Sequence, residues 1–392
     1  MTASKVKDNS QKLGELVHPN EDELVANNQH VLTEFFKKNV IEEIIEAIDI
    51  LNDNYFRPQL IGFENFPERN RPETPLLLIS NHSGMSFPWD GMIFASRFFP
   101  IENYGPNAVR PIIAPPLTRT VLMNPFLVPN IWKKVGAVDA TSLNFETLMR
   151  QKDYNVLVYP EGVPGIGKGF NHRYELQKFA TSYLRMSLKH KTDIIPFYTI
   201  NAEFVNPYSY KSDFINKIIN KIGIPFLPIA LHTILVLLQP WIFYYALPAR
   251  MTYVRGKRIK PSEFLNKPFE EITVQELKEL NEKIRKMMQK EIDEAVKVYG
   301  KKPYDWKSFF QNFSKKMKFF PYFLPFGWPL LFAELESQKL DKKGTKKPLK
   351  ISYKMFFSTL WKSPIILCYY IPILGWIPLL IKGYNKKALT KK

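Results

Sequence analysis

Three short, uncharged, mostly aliphatic runs limit what this chain can fold into more than any other feature. They are residues 75–80 (Pro-Leu-Leu-Leu-Ile-Ser), 156–159 (Val-Leu-Val-Tyr) and 194–200 (Ile-Ile-Pro-Phe-Tyr-Thr-Ile). Such runs are short for helices and lack the polar alternation of a half-exposed strand, so each reads as a strand buried on both faces. Between the last two, residues 173–188 place Leu176, Phe179, Ala180, Tyr183, Leu184, Ser187 and Leu188 on one helical face. Strands alternating with helices predict an α/β fold, a mainly parallel sheet flanked by helices.

The rest of the chain is organised around that unit. Of its 392 residues, 45% are apolar and 23% charged, with a mean hydropathy of −0.22, which excludes a disordered chain and a polytopic membrane protein of ordinary hydropathy. The first 30 residues are polar, with no apolar stretch after a charged start, so neither a secretory signal nor an N-terminal anchor is expected. Residues 31–51 carry Phe35, Phe36, Val40, Ile44, Ile45 and Ile48 at helical spacing and predict an amphipathic helix within an N-terminal segment, 1–58. The α/β unit is assigned to 59–260. Thr273-Val-Gln-Glu276 is a capping box, and Leu277, Leu280, Ile284, Met288, Ile292 and Val296 in register predict a helix to Tyr299 that closes the folded body, at 261–300. With one cysteine, Cys368, and six histidines outside paired ligand spacing, neither a disulfide framework nor a metal site is predicted.

Charge sets the last segment apart. The net charge is +18, and residues 301–392 hold 19 lysines against four acidic residues, +15 of that total. Lysines there are interleaved with Trp, Tyr, Phe and Pro, the composition of a membrane interface. The segment is predicted to be a basic, aromatic, membrane-associating extension held on anionic lipid, with Phe319, Phe320, Trp328 and Trp376 as apolar anchors. A solvated lysine-rich tail with a small local core is the alternative. Nucleic acid would account for the charge but not for the long uncharged runs, and is not expected as a partner. Residues 222–247 contain no Asp, Glu, Lys or Arg, but Pro225, Pro228 and Pro240 interrupt them, so a shallow insertion or a buried pair of segments fits better than a span. Together with 319–332 and 365–381, this stretch supplies the candidates for insertion at the cytoplasmic face of a membrane.

The strand candidate at 76–79 runs straight into Asn81-His82-Ser83-Gly84, and Asp90-Gly91 follow. A histidine at the mouth of a parallel sheet with a carboxylate at short range has the parts of a base and its orienter. Neutral imidazole accepts a hydroxyl proton near pH 7, and a carboxylate on its other nitrogen fixes the tautomer and stabilises the cation. The alternative is a loop histidine that is merely hydrogen-bonded. The strand at 156–159 leads into Pro160-Glu161-Gly162-Val163-Pro164-Gly165-Ile166-Gly167-Lys168-Gly169 and then Arg173. Glycines let backbone amides approach an anion, a following helix start adds partial positive charge, and Lys168 and Arg173 add full charges. Gly162, Gly167 and Lys168 also come near a phosphate-binding NTPase loop, but Gly169 stands where the magnesium-liganding Ser or Thr is required.

The stretch from Asn81 to Gly91 resembles the first motif of the glycerolipid and lysophospholipid acyltransferase superfamily, with seven residues, Ser83 to Trp89, in a longer His–Asp loop than the family's usual one. Tyr159-Pro160-Glu161-Gly162 resembles its third motif, Phe-Pro-Glu-Gly, with Val163-Pro164 where the family carries Thr-Arg. Trp132 to Asp139 resembles a stretch that ends in Asp-Arg in relatives, and Ala140 takes the Arg position. Residues 194–197 and 247–259 resemble two later strands, so the resemblance runs in order over 55–260. It implies a glycerol-phosphate-acyltransferase-like fold that moves a fatty acyl group from an acyl thioester, acyl-CoA or acyl carrier protein, to a hydroxyl of a glycerolipid or lysophospholipid at the membrane surface. By the same resemblance His82 is the general base, Asp90 orients it, Glu161 and Gly162 shape the acceptor pocket, and Lys168 and Arg173 hold an anionic group. The thioester is a co-substrate, and no further cofactor is implied. Two rival functions remain open: hydrolysis of a thioester or ester by the same dyad, and a catalytically silent lipid-binding or membrane-tethering protein.

Overall fold

The three apolar runs form the centre of one seven-stranded sheet. The computed structural model describes residues 9–84, 87–119, 123–219, 226–315, 317–337, 353–362 and 364–383. Its strands are β1 Gln59–Ile61, β2 Leu77–Ser80, β3 Val109–Ile113, β4 Val138–Asp139, β5 Asn155–Val158, β6 Ile194–Ile200 and β7 Thr252–Arg255. They lie in the order β1-β7-β6-β2-β5-β3-β4, and all neighbours are parallel except β6 and β7. β2 is the middle strand: Leu77, Leu78 and Ile79 pair with Val156, Leu157 and Val158 on one side and with Ile194, Ile195 and Pro196 on the other.

Among the described residues, the helices of seven or more residues are α1 Glu21–Asn27, α2 Lys38–Leu51, α3 Trp89–Ile101, α4 Ser142–Met149, α5 Ser182–His190, α6 Asp213–Ile219, α7 Leu231–Leu238, α8 Val274–Tyr299, α9 Trp306–Lys315, α10 Trp328–Ser337, α11 Tyr353–Lys362 and α12 Trp376–Gly383. Successive strand residues point to opposite faces. Leu76, Leu78, Leu157 and Phe197 therefore pack with α2, α3 and α10, whereas Leu77, Ile79, Val156 and Val158 pack with α4, α5 and α8. α8 starts at the expected capping box: Thr273 Oγ1 accepts the Glu276 N–H at 3.2 Å, and the Glu276 carboxylate accepts the Thr273 N–H at 2.9 Å.

Three expectations are corrected. The helix predicted over 31–51 is broken: a turn at His30–Thr33 ends before Phe35 and Phe36, and α2 begins at Lys38. The two rings dock instead of continuing the helix, with the Arg110 guanidinium 4.6 Å from the Phe36 ring and Lys133 4.9 Å from that of Phe35. The helix predicted from residue 173 starts only at Ser182. The backbone before it is held from outside, since Leu176 N–H donates to Gln289 Oε1, Gln177 N–H to Glu161 Oε2 and Ala180 N–H to the Pro160 carbonyl. A backbone amide bonded elsewhere is lost to the helix ladder.

The third correction concerns the tail. Residues 319–332 are not a free membrane anchor: Tyr322, Phe323, Trp328, Leu330, Leu331 and Phe332 are buried, and Phe319 and Phe320 pack half-buried against the same core. The Trp328 ring lies 5.1 Å from that of Trp89, 5.4 Å from Tyr55 and 6.0 Å from Phe56. The folded body thus continues past Gly300, because these side chains complete one aromatic core with Tyr55, Phe56 and Trp89 of the α/β unit and its flanking segment. Residues 226–247 divide: α7 is a short helix, while Pro240, Trp241 and Tyr244 are buried; residues 222–225 lie outside the described ones. No helix among the described residues is long and apolar enough to cross a membrane. If α10 is core, Trp328→Ala should lower stability by about 3–5 kcal/mol. Equilibrium denaturant unfolding at an unchanged slope measures this, and a loss below about 1 kcal/mol would mean that the tail only rests on the body.

Candidate active site

β2 and β5 are parallel neighbours, so the loops leaving their C-terminal ends emerge side by side at one edge of the sheet. One loop carries His82 and the other Glu161. Asn81 fixes where the first departs: its side-chain NH2 donates to the Thr199 carbonyl at 2.9 Å and its side-chain oxygen accepts the Thr199 N–H at 2.8 Å. The amide group thus extends the β2–β6 ladder one step past the strand. The His82 N–H then donates to Glu161 Oε1 at 2.8 Å, and Glu161 Oε2 accepts the Gln177 N–H at 2.6 Å. Burial pushes the Glu161 carboxyl above its ordinary value, opposed by the nearby Lys168 charge and by these two amides.

Asp90 enters from the first turn of α3. Its Oδ2 accepts from His82 Nδ1 at 2.8 Å and from the Ser83 N–H at 2.9 Å, while Oδ1 accepts the Gly91 N–H at 2.8 Å. A carboxylate only accepts, so Nδ1 carries the proton and Nε2 is left as the acceptor nitrogen. Nε2 has no hydrogen-bond partner among the described residues. The long loop between the two residues is folded back by its own aromatic end: Phe87 and Trp89 are buried, and Trp89 Nε1 donates to the Tyr244 carbonyl at 3.0 Å. The imidazole keeps 13% of its surface exposed while Asp90 keeps none, the asymmetry expected of a base and its hidden orienter.

The Tyr159 ring stacks on the imidazole, with centroids 4.4 Å apart and planes at 28°. Burial, with Asp90 nearby, pushes its hydroxyl well above the ordinary tyrosine value, so it stays a neutral phenol. Gly162 adopts φ 58° and ψ −147°, a region open essentially to glycine alone, and this turns the chain back across the site. Gly165 then lies so close that a Cβ there would stand 2.5 Å from Glu161 Cβ and 3.1 Å from His82 Cβ.

An apolar cavity opens on His82. Ile44 and Ile48 of α2, Met92 and Phe99 of α3, Leu117 and Phe226 contribute to its lining. A second, more polar cavity adjoins it along Ile112, Ala114, Tyr159 and Gly162, and is lined by Ala140, Thr141, Lys178, Ser182 and Arg185.

The structure brings His82, Asp90, Glu161 and Gly162 to this one edge, but not the two predicted anion-binding cations. Lys168 is buried, with Nζ 3.5 Å from Glu203 Oε1 and donating to the Glu175 carbonyl at 3.1 Å. A buried ammonium needs such partners, and having them it presents no free face to a ligand. Arg173 is exposed, its guanidinium 5.1 Å from the Phe170 ring, and it lines neither cavity. The helix expected after the glycine loop starts only at Ser182, and the loop itself holds a single turn, Val163–Ile166, which with the Lys168–Glu203 pair also removes the NTPase-loop alternative. Sequence reasoning missed the Tyr159 stack, the cavity wall formed by α2, and Lys178 and Arg185. The one signal for Arg185 was indirect: Ala140, in the same cavity, leaves a vacant Arg position.

The acyltransferase family model matches residues 57–200, from β1 through β6. An acyltransferase-family domain occupies this part of the chain. It holds His82, Asp90, Tyr159 and Glu161, in agreement with the resemblance carried by the two loop motifs. An uncharacterized protein of Mycobacterium leprae is 24% identical over 177 residues, 45% of this chain and 44% of that protein. Uncharacterized proteins of Mycobacterium bovis and Mycobacterium tuberculosis are 25% identical over 177 residues, 45% of each chain. The match thus spans less than half the length of these curated relatives. The crystal structure of the 1-acyl-sn-glycerophosphate (LPA) acyltransferase PlsC from Thermotoga maritima is 14% identical, with a TM-score of 0.36 over 72% of this chain and 86% of that one.

Within the acyltransferase domain, Gly165→Ala tests how tightly the glycine loop holds the histidine. The added methyl must push Glu161 and His82 apart, costing about 1–3 kcal/mol. Thermal unfolding should register the loss, and in NMR spectra the Nδ1–H resonance of His82, hydrogen-bonded to Asp90, should shift or broaden. A folded variant with that resonance unchanged would contradict the packing described.

Proposed function

We propose that this chain transfers a fatty acyl group from an acyl thioester, acyl-CoA or acyl carrier protein, to a hydroxyl of a glycerolipid or lysophospholipid. The reading is carried by one observation: the His82–Asp90 pair, 2.8 Å apart, opens on an apolar cavity inside an acyltransferase-family domain. Nε2 of His82 takes the acceptor's hydroxyl proton as the oxygen attacks the thioester carbon. The C–S bond then breaks and the imidazolium returns the proton to the leaving thiolate, so ester and thiol form with no net proton change. Asp90 stabilises the imidazolium, and its Ser83 and Gly91 amide donors hold it in place. The thioester is already activated, so positioning and a general base are sufficient help.

The two cavities divide the substrates between them. The apolar one, walled by α2 and α3, takes the acyl chain next to the base. The adjoining one, which Ala140 also lines, offers Arg185 and Lys178 to an anionic group of the acceptor or donor. These cations replace Lys168 and Arg173 in that role.

A radiolabelled acyl thioester offered with lysophospholipids, mono- and diacylglycerols should yield labelled lipid. Free fatty acid would indicate a hydrolase, and no turnover a silent lipid-binding protein. His82→Ala should cost about 100-fold or more in turnover, and Asp90→Asn should lower kcat more than KM because the amide holds the ring without stabilising its cation. Near-wild-type transfer by a folded His82→Ala variant would remove the dyad from the mechanism. Arg185→Ala should raise KM for a phosphate-bearing substrate about tenfold with kcat little changed. An unchanged KM in both Arg185→Ala and Lys178→Ala would point to an uncharged acceptor.

A further inference from the structure

Exposed aliphatic side chains are gathered in one place. α7 turns Leu231 and Leu237 to solvent, 75% and 64% exposed, and the segment ending in α12 does the same with Ile373 and Ile381, 66% and 70% exposed. Single exposed leucines are ordinary on a protein surface, but a contiguous group is not. These two stretches are contiguous because hydrogen bonds fasten them together. The Ile373 N–H donates to the Leu238 carbonyl at 2.6 Å, Trp376 Nε1 to the Leu237 carbonyl at 2.9 Å, and Gln239 Nε2 to the Ile371 carbonyl at 2.9 Å. From the buried side, Trp241 Nε1 donates to the Gly375 carbonyl at 2.9 Å. No Asp, Glu, Lys or Arg occurs in residues 226–249 or 364–381.

We propose that this joint face of α7 and residues 364–383 docks the protein on an anionic lipid bilayer, with both helices lying in the plane of the interface. Each has eight residues, about 12 Å of helix, far short of the roughly 30 Å of a hydrocarbon core. They therefore dip and do not span. Charge complementarity selects a bilayer over a second protein surface. The apolar stretch is entered from Lys362 and left into Lys382, Lys386 and Lys387, in a region carrying +15. Beside it, α6 exposes Phe214 and Ile218 next to Lys217. The residues just before α6 are joined to those just before α7 by the isolated Tyr210–Ile229 bridge. Trp361 and Tyr370 are exposed on the same C-terminal part, as befits residues at headgroup depth.

Continuity with the cavity gives the face its purpose. Phe226 lines the cavity that opens on His82, and residues 226–231 lead from it to the exposed start of α7 through apolar side chains only. A lipid chain leaving the leaflet would reach the base along that path. This last point rests on the proposed acyl transfer; the docking itself does not.

Flotation of the full chain with vesicles of phosphatidylcholine containing about one third phosphatidylglycerol, and with phosphatidylcholine alone, tests the proposal. The wild type should float with the anionic vesicles and less with the neutral ones. Ile234→Glu/Leu237→Glu and Ile373→Glu/Leu380→Glu should each reduce flotation about tenfold or more, since carboxylates replace exposed apolar side chains that docking would bury at a negative surface. Thermal unfolding should be unchanged, as should transfer to a water-soluble short-chain acceptor. Equal flotation of both folded variants overturns the proposal. So does a wild type that does not float but forms a dimer, by light scattering, that the same substitutions dissociate. Flotation lost in the variants from a wild type that transfers no acyl group would uphold the docking and overturn the proposed function alone.

Discussion

Two buried carboxylates hold the histidine, and the surrounding chain is arranged to satisfy them. Asp90 binds the imidazole Nδ1 and the Ser83 amide, while Glu161 binds the amides of His82 and Gln177. A carboxylate taken out of water is costly unless donors fill its lone pairs, and backbone N–H groups positioned by a sheet fill them without flexible side chains. This requirement reaches beyond the site. The loop after β2 must bend back to deliver Asp90, and residues 173–181 must stay out of a helix so that the Gln177 amide faces Glu161. The late start of α5 and the placement of His82 are thus two consequences of one buried charge.

Much of what supports the acyltransferase domain lies outside it. The family match covers 57–200, yet α2 walls the apolar cavity, Tyr244 takes the Trp89 indole, and Trp328 packs on the Trp89 ring directly beside Asp90. Aromatic rings of this size bury large apolar areas and exchange edge-to-face and tilted contacts, so a cluster of Tyr55, Phe56, Trp89 and Trp328 is a stiff floor under the loop that carries His82 and Asp90. The C-terminal region is in this sense part of the site's support.

The same region shows one composition meeting two fates. Residues 319–332 and 365–381 both consist mostly of aromatic and aliphatic residues, but the first is buried against the α/β unit and the second keeps Ile373, Leu380 and Ile381 in solvent. The difference is the availability of an apolar partner surface. α10 found one at Phe56 and Trp89; α12 buries only Leu379 in that core and leaves Leu380 and Ile381 in solvent beside α7, whose outer side is equally apolar.

The local chemistry of the chain was legible in its sequence. Buried strands announced themselves by unbroken aliphatic runs, α8 by its capping box, and the His82 and Glu161 loops by glycine and polar residues set immediately after strands, because these signals depend on neighbours within a few positions. What joins distant segments was not legible there. Whether Lys168 faces a ligand or Glu203, whether Gln177 belongs to a helix or to a carboxylate, and whether an apolar run ends as core or as surface are decided by partners dozens to hundreds of residues away. Residue type fixes only that an ammonium, an amide or a leucine must find a suitable environment, and the packing of the sheet and its covering helices determined which one each found.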